Sequence, residues 1–177
     1  MRIENQYIMQ KPKIDEATRL SLFSPSTETA VAAVQALKET GNKDYLPILF
    51  DLMITKPAPE VEKEILNLLA TLKDKDSIPA IIHAIQEAKY KAIRKELTSA
   101  CWQNGMDFSP YMEVFIDLII GEEWDIAFEA FTVIENFEHF PPEEEYKPLK
   151  IKMAGALRKA SEQKQYFLEE ILKMTAE

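Results

Sequence analysis

Apolar residues in this chain recur three and four apart, in short stripes separated by polar turns. After ETGNKDYLP (39–47) the stripe is Leu46, Leu49, Phe50 and Met53. After TLKDKDSIP (71–79) it is Ile78, Ile81, Ile82 and Ile85, and after QNGMDFSP (103–110) it is Tyr111, Val114, Phe115 and Leu118. Helical residues advance by about 100° each, so steps of i, i+3, i+4 and i+7 share one face of an α-helix. Pro47, Pro79 and Pro110 fall in the predicted first turns, where the missing N–H is no loss. Asp44, Asp76 and Ser109 stand where N-caps are expected. The pattern therefore predicts one helix start repeated at an interval of 31–32 residues.

A second set of stripes lies between these helices. Val61, Ile65, Leu68, Leu69 and Leu72 make one, and Ile93, Leu97, Ala100 and Cys101 the next. Ile126, Ala130, Val133, Ile134 and Phe137 make a third, and the segment 28–40 is an earlier, weaker copy. Gly41 and Gly105 are expected to end second helices, and Gly121 a first helix. At the ends, a short helix is expected over 14–23 and two closing helices over 142–160 and 163–175. Pro148 either kinks the first of these or marks its beginning.

Helix pairs at this period, joined by short turns, imply an all-α solenoid. The residues resemble HEAT repeats. The three turns match that family's opening of one helix, and Pro59-Glu60-Val61 and Ile93-Arg94-Lys95 match its opening of the next. The third pair departs, with Trp124-Asp125-Ile126-Ala127 and no basic residue. The resemblance implies a right-handed α-α superhelix of about three HEAT-like pairs over 27–138. An N-terminal cap over 1–26 and C-terminal capping helices over 139–177 complete a single domain. It also implies that the second helices line the concave side.

Composition narrows the chemistry. Four glycines in 177 residues leave no GxGxxG or GxxxxGK[ST] loop, and one cysteine excludes a disulfide framework or a multi-cysteine metal site. The start, MRIENQYIMQKPK, lacks the apolar stretch of a secretory signal, and no apolar run approaches a membrane span. These features together give the expectation of a cytoplasmic protein without a membrane partner. His83 and His139 are isolated and form no metal-ligand spacing, and no nucleophile or partnered carboxylate is spaced to serve His83. The chain has no His-Glu dipeptide of the kind that holds iron in HEAT-like hydroxylases. Cys101 falls on an apolar stripe and reads as a small buried hydrophobe. No catalytic residue, cofactor or metal site is expected.

Charge is unevenly spread. The net charge is -9, but from Glu96 to Glu145 there are 13 acidic residues and no Lys or Arg, while the rest of the chain carries +4. Nine of the seventeen aromatics fall in the same block. On the helix containing Cys101 the arc opposite the core holds Lys95, Ser99 and Trp102; on the next it holds Phe128, Thr132 and Glu135. Glu64, Glu96 and Glu129 form an edge row spaced 32 and 33 apart. Trp102 and Phe128 are thus candidate anchors, with Glu64, Glu96, Glu129 and Glu135 as an electrostatic rim, for a basic peptide or protein surface. The function expected is non-enzymatic: a protein-interaction or scaffold module with an acidic, aromatic concave groove. One alternative is a nucleic-acid-processing enzyme such as a HEAT-like DNA glycosylase, which the acidic balance opposes. Another is a purely structural subunit. A third possibility is internal: the segment 146–177, with seven basic and four acidic residues, docks on the acidic block, and the two aromatics pack against the closing helices.

Overall fold

The polar turns do start helices, each through an extra step. Lys43–Tyr45, Lys75–Ser77 and Ser109–Tyr111 form single 3-10 turns that run directly into α-helices. In the second and third turns that step moves the cap two residues upstream. Asp74, not Asp76, accepts the backbone N–H two residues on at 3.0 Å, and Asp107, not Ser109, accepts the N–H of Ser109 at 2.9 Å. An aspartate bonding two residues ahead closes the tight turn before the first α-helical residue is reached.

The computed structural model describes residues 14–40 and 43–175, where every regular element is helical. The α-helices are α1 (Glu16–Leu22), α2 (Thr27–Thr40), α3 (Leu46–Ile54), α4 (Pro59–Thr71) and α5 (Ile78–Gln86). They continue as α6 (Arg94–Gln103), α7 (Met112–Gly121), α8 (Trp124–Glu135), α9 (Glu143–Leu157) and α10 (Glu162–Met174). Even-numbered helices stack in chain order, α2 on α4, α4 on α6, α6 on α8 and α8 on α10. Odd-numbered helices form the second row, with α1 on α3, α3 on α5 and α7 on α9. The architecture is an α-solenoid. Its expected caps repeat the pairing of the central units, since α1 lies on α2 and α9 on α10. One apolar cluster runs from Leu22 to Ile171.

Three expectations resolve at this level. Gly105 has φ +65, the left-handed value of a helix-ending glycine. Gly121 is instead the last residue of α7, without that conformation. Pro148 is the sixth residue of α9 and does not mark its beginning. Gly41 and the segment MRIENQYIMQKPK lie outside the described residues.

Between α5 and α7 a polar side chain joins the repeats. Arg94 is 8% exposed and donates from Nε to the Ile85 carbonyl at 2.7 Å and from Nη2 to the Glu87 carbonyl at 3.2 Å. Its Nη1 pairs with Glu122 just past α7. Carbonyls at a helix end lack an intrahelical partner; the guanidinium satisfies that of Ile85, shares that of Glu87 with the Tyr90 N–H, and carries a charge to the next repeat. The arginine that carries part of the family resemblance is thus a structural link.

Candidate interaction surface

Trp102 and Phe128 reach the surface because each stands on the arc of its helix opposite the core. On α6 the buried residues are Arg94, Leu97, Thr98, Ala100 and Cys101, which leaves Trp102 36% exposed. On α8 the core takes Ile126, Ala127, Ala130, Phe131, Val133 and Ile134, and Phe128 is 43% exposed. Phe128 stacks on Trp124 one turn earlier, at 5.4 Å between centroids and an interplanar angle of 22°. Trp124 is itself 47% exposed.

The rings continue onto α10. Phe128 meets Phe167 at 6.2 Å, and Phe167 stacks on Phe131 at 4.7 Å and 18°. Tyr166, 57% exposed, closes the set against Phe131 at 6.3 Å. Phe167 and Phe131 are buried and anchor the cluster, so the closing helix α10 supports Phe128 without covering it. Trp124 and Tyr166 are not among the anchor and rim residues expected from the sequence. Trp124 was visible there as the i−4 neighbour of Phe128 on the same helical face. Tyr166 carried no such signal, because only the packing of α10 on α8 brings it alongside.

The carboxylates fall on a repeating set of positions between neighbouring even helices. At the first, Lys38 of α2 meets Glu64 of α4 at 3.0 Å, and this bond holds the Glu64 carboxyl below its ordinary range. At the third, the Trp102 indole N–H of α6 donates to Glu129 Oε2 of α8 at 2.8 Å. Lys38 and Trp102 stand 64 residues apart, two repeats, and Glu64 and Glu129 stand 65 apart. The midpoint of the same register holds Ala70 of α4 and Glu96 of α6. Glu96 Oε2 is buried and accepts no hydrogen bond among the described residues. One repeat after Trp102 the position holds Glu135, which is exposed.

The acidic block divides into a paired part and an unpaired part. Lys152 of α9 bridges Glu113, at 3.1 Å, and Asp117, both on α7. Burial lowers the affinity of Lys152 for its proton, but its hydrogen bonds to Asp117 and Glu113 outweigh that and hold it above its ordinary value. The closing segment thus docks on acidic residues of α7 and leaves the α6–α8 face open. Glu122 is taken by Arg94, and Asp125 by Lys95 at 3.7 Å. Asp107 is spent on the turn, where its bonds to Ser109 hold it below the usual carboxylate range. Glu96, Glu129 and Glu135 make no ion pair among the described residues.

Of the reactive side chains, His83 is exposed and does have a carboxylate partner, Glu87, one turn along at 2.6 Å. The sequence reading missed this i, i+4 pair, which lies on the surface of α5 with no nucleophile beside it. Cys101 is fully buried, its Sγ turned to the Leu97 carbonyl at 3.3 Å, and burial pushes its thiol pKa far upward. Among the described residues no group of His, Cys, Asp and Glu side chains is placed to hold a metal ion. No described helix is long and apolar enough to cross a membrane.

A family model described as HEAT repeats matches residues 17–101, from α1 to α6. No curated protein matches the chain.

Proposed function

We propose that this chain, whose residues 17–101 match HEAT repeats, a family that generally mediates protein–protein interaction or scaffolding, binds a basic, partly apolar segment of another protein on the α6–α8–α10 face. The observation that carries this reading is an exposed ring cluster beside carboxylates that no lysine or arginine neutralises. Large apolar side chains standing together at a surface mark an interaction site, whereas scattered ones do not. Trp102 and Phe128 serve as anchors, with Trp124 and Tyr166 extending the apolar floor. Glu96, Glu129 and Glu135 supply the anionic rim. Glu64 continues the row, but its charge is already engaged by Lys38. Glu129 plays two parts: it fixes the Trp102 ring through the indole N–H and, with no ion-pair partner among the described residues, belongs to the rim.

The test is a tryptophan-fluorescence titration with a synthetic lysine- and leucine-containing peptide at low and high salt. Binding is expected to weaken as salt screens the rim. Phe128→Ala is expected to weaken it roughly tenfold or more, the scale of losing an interface anchor, and Trp102→Ala combined with Glu129→Lys to abolish it. Retention of the protein on heparin or duplex DNA with no response to the peptide overturns the reading in favour of a nucleic-acid partner.

A further inference from the structure

The α6–α8–α10 face calls for a segment that carries basic and apolar side chains together, and the chain presents one itself. Helix α9 packs on α7 and α10, with Leu149 and Met153 buried. On its opposite face Lys147, Ile151, Ala154, Gly155 and Arg158 are all exposed. Ile151, at 71%, is the most exposed large apolar side chain among the described residues. Neither Lys147 nor Arg158 makes an ion pair among those residues, whereas Lys152 is spent on Glu113 and Asp117. A lone exposed isoleucine is ordinary, but one standing between two unpaired cations has the composition that an aromatic, anionic face complements.

Spacing agrees with composition. On α8 the exposed residues Trp124, Phe128 and Glu135 are four and seven apart, and on α9 Lys147, Ile151 and Arg158 are likewise four and seven apart. At 1.5 Å per residue these steps are about 6 and 10 Å along either helix. Laid side by side and parallel, the two helices bring Lys147 to the Trp124 ring, Ile151 to Phe128 and Arg158 to Glu135. The three contacts are a cation–π contact, an apolar contact and an ion pair. Gly155 then falls opposite Thr132, where the absence of a side chain lets the helix axes approach. Glutamates 143–145 run past the start of α8 and meet none of its carboxylates. An antiparallel alignment with Ile151 on Phe128 moves Lys147 to Thr132 and carries Arg158 off the end of α8, so only the parallel one makes all three contacts.

We infer that the segment bound on this face is α9 of a second copy of the chain. This rests on the interaction reading above and names its partner. Within one molecule the contact cannot form, because the exposed face of α9 points away from α10, on which the helix packs. Each copy offers α9 to one neighbour and α8 to another, so the contact is head-to-tail and leaves a free face at either end.

Sedimentation velocity of the full chain reads this association. One helix on one face is a small contact, so at low salt the average mass is expected to rise between about 10 µM and 1 mM, and to return toward the monomer as salt screens the pairs. Ile151→Asp and Phe128→Ala are each expected to weaken self-association about tenfold. Mixed, these two variants are expected to form a one-to-one dimer and nothing larger, since one keeps the α8 face and the other keeps α9. Glu135→Arg and Arg158→Glu, both at exposed positions, are each expected to weaken association about fivefold, and together in one chain to restore it. A parent that stays monomeric to about 1 mM, an Ile151→Asp variant that associates as well as the parent, or a doubly swapped chain that does not recover overturns the proposal. If it is overturned while the lysine- and leucine-containing peptide still binds and Phe128→Ala weakens that binding, the face stands with a different protein as its partner. If the peptide does not bind either, the face falls as well.

Discussion

A guanidinium occupies a core position at residue 94, and its cost and benefit are both local. The three bonds of Arg94 join the end of α5 to Glu122 beyond α7. Truncation removes them together and leaves the Glu122 carboxylate and the Ile85 carbonyl short of partners, while the Glu87 carbonyl keeps the Tyr90 N–H. Arg94→Ala is expected to destabilise the fold by about 3 kcal/mol, in line with breaking a buried pair from one side, as measured by urea unfolding. Replacing the exposed Lys91 by alanine is the control and is expected to change stability little. Residue-scale roles were unevenly legible. The exposure of Trp102 and Phe128 followed from helical geometry, because the arcs opposite the core residues do face outward. The ion pair that occupies Glu64 did not, because Lys38 lies in a different helix and only the stacking of α2 on α4 brings it there.

For the helices, the informative comparison is between two glycines that resemble each other as sequence punctuation. Gly105 follows α6 with φ +65, where any side chain strains the backbone. A Cβ added there would make only an ordinary contact, with the Lys73 ammonium at 3.8 Å. Gly105→Ala is therefore expected to cost about 1 kcal/mol through conformation alone. Gly121 ends α7 in ordinary backbone, with nothing near an added Cβ, so Gly121→Ala is expected to be neutral or to stabilise by up to about 1 kcal/mol. Thermal unfolding of the two variants distinguishes the positions by sign. Helix existence and order were readable throughout the described chain, since the 3.6-residue stripes are long and regular. Starts were readable only to within a turn, because a 3-10 turn and an α-helical first turn carry the same aspartates and prolines.

Across the whole molecule, charge links the repeats and sets the response to acid. Asp15, bonded to Thr18, Glu64, bonded to Lys38, and Asp107, bonded to Ser109, all hold their protons less tightly than usual. A carboxyl with a depressed folded pKa adds stability above its unfolded value, and the addition disappears as pH falls through the folded one. The melting temperature is thus expected to be steady near neutral pH and to fall below about pH 4, the ordinary carboxylate value. Lys152 has the opposite sign: its pKa is raised, so its contribution persists below the usual lysine value and is lost only in strong alkali.

The sequence by itself determined the class of fold, the succession of helices, and which arc of each helix faces the core. These depend on the spacing of apolar residues along one helix, a property that no distant part of the chain alters. It also showed where negative charge and aromatic rings accumulate. Only the tertiary structure decided how that charge is distributed. Lys152 draws Glu113 and Asp117 into the α7–α9 contact, Arg94 takes Glu122, and Lys38 takes Glu64. The physical reason is range: an apolar stripe is fixed by neighbours three and four residues away, whereas a charge is neutralised by whatever the stacking of helices brings within about 4 Å, here from 26 to 39 residues along the chain.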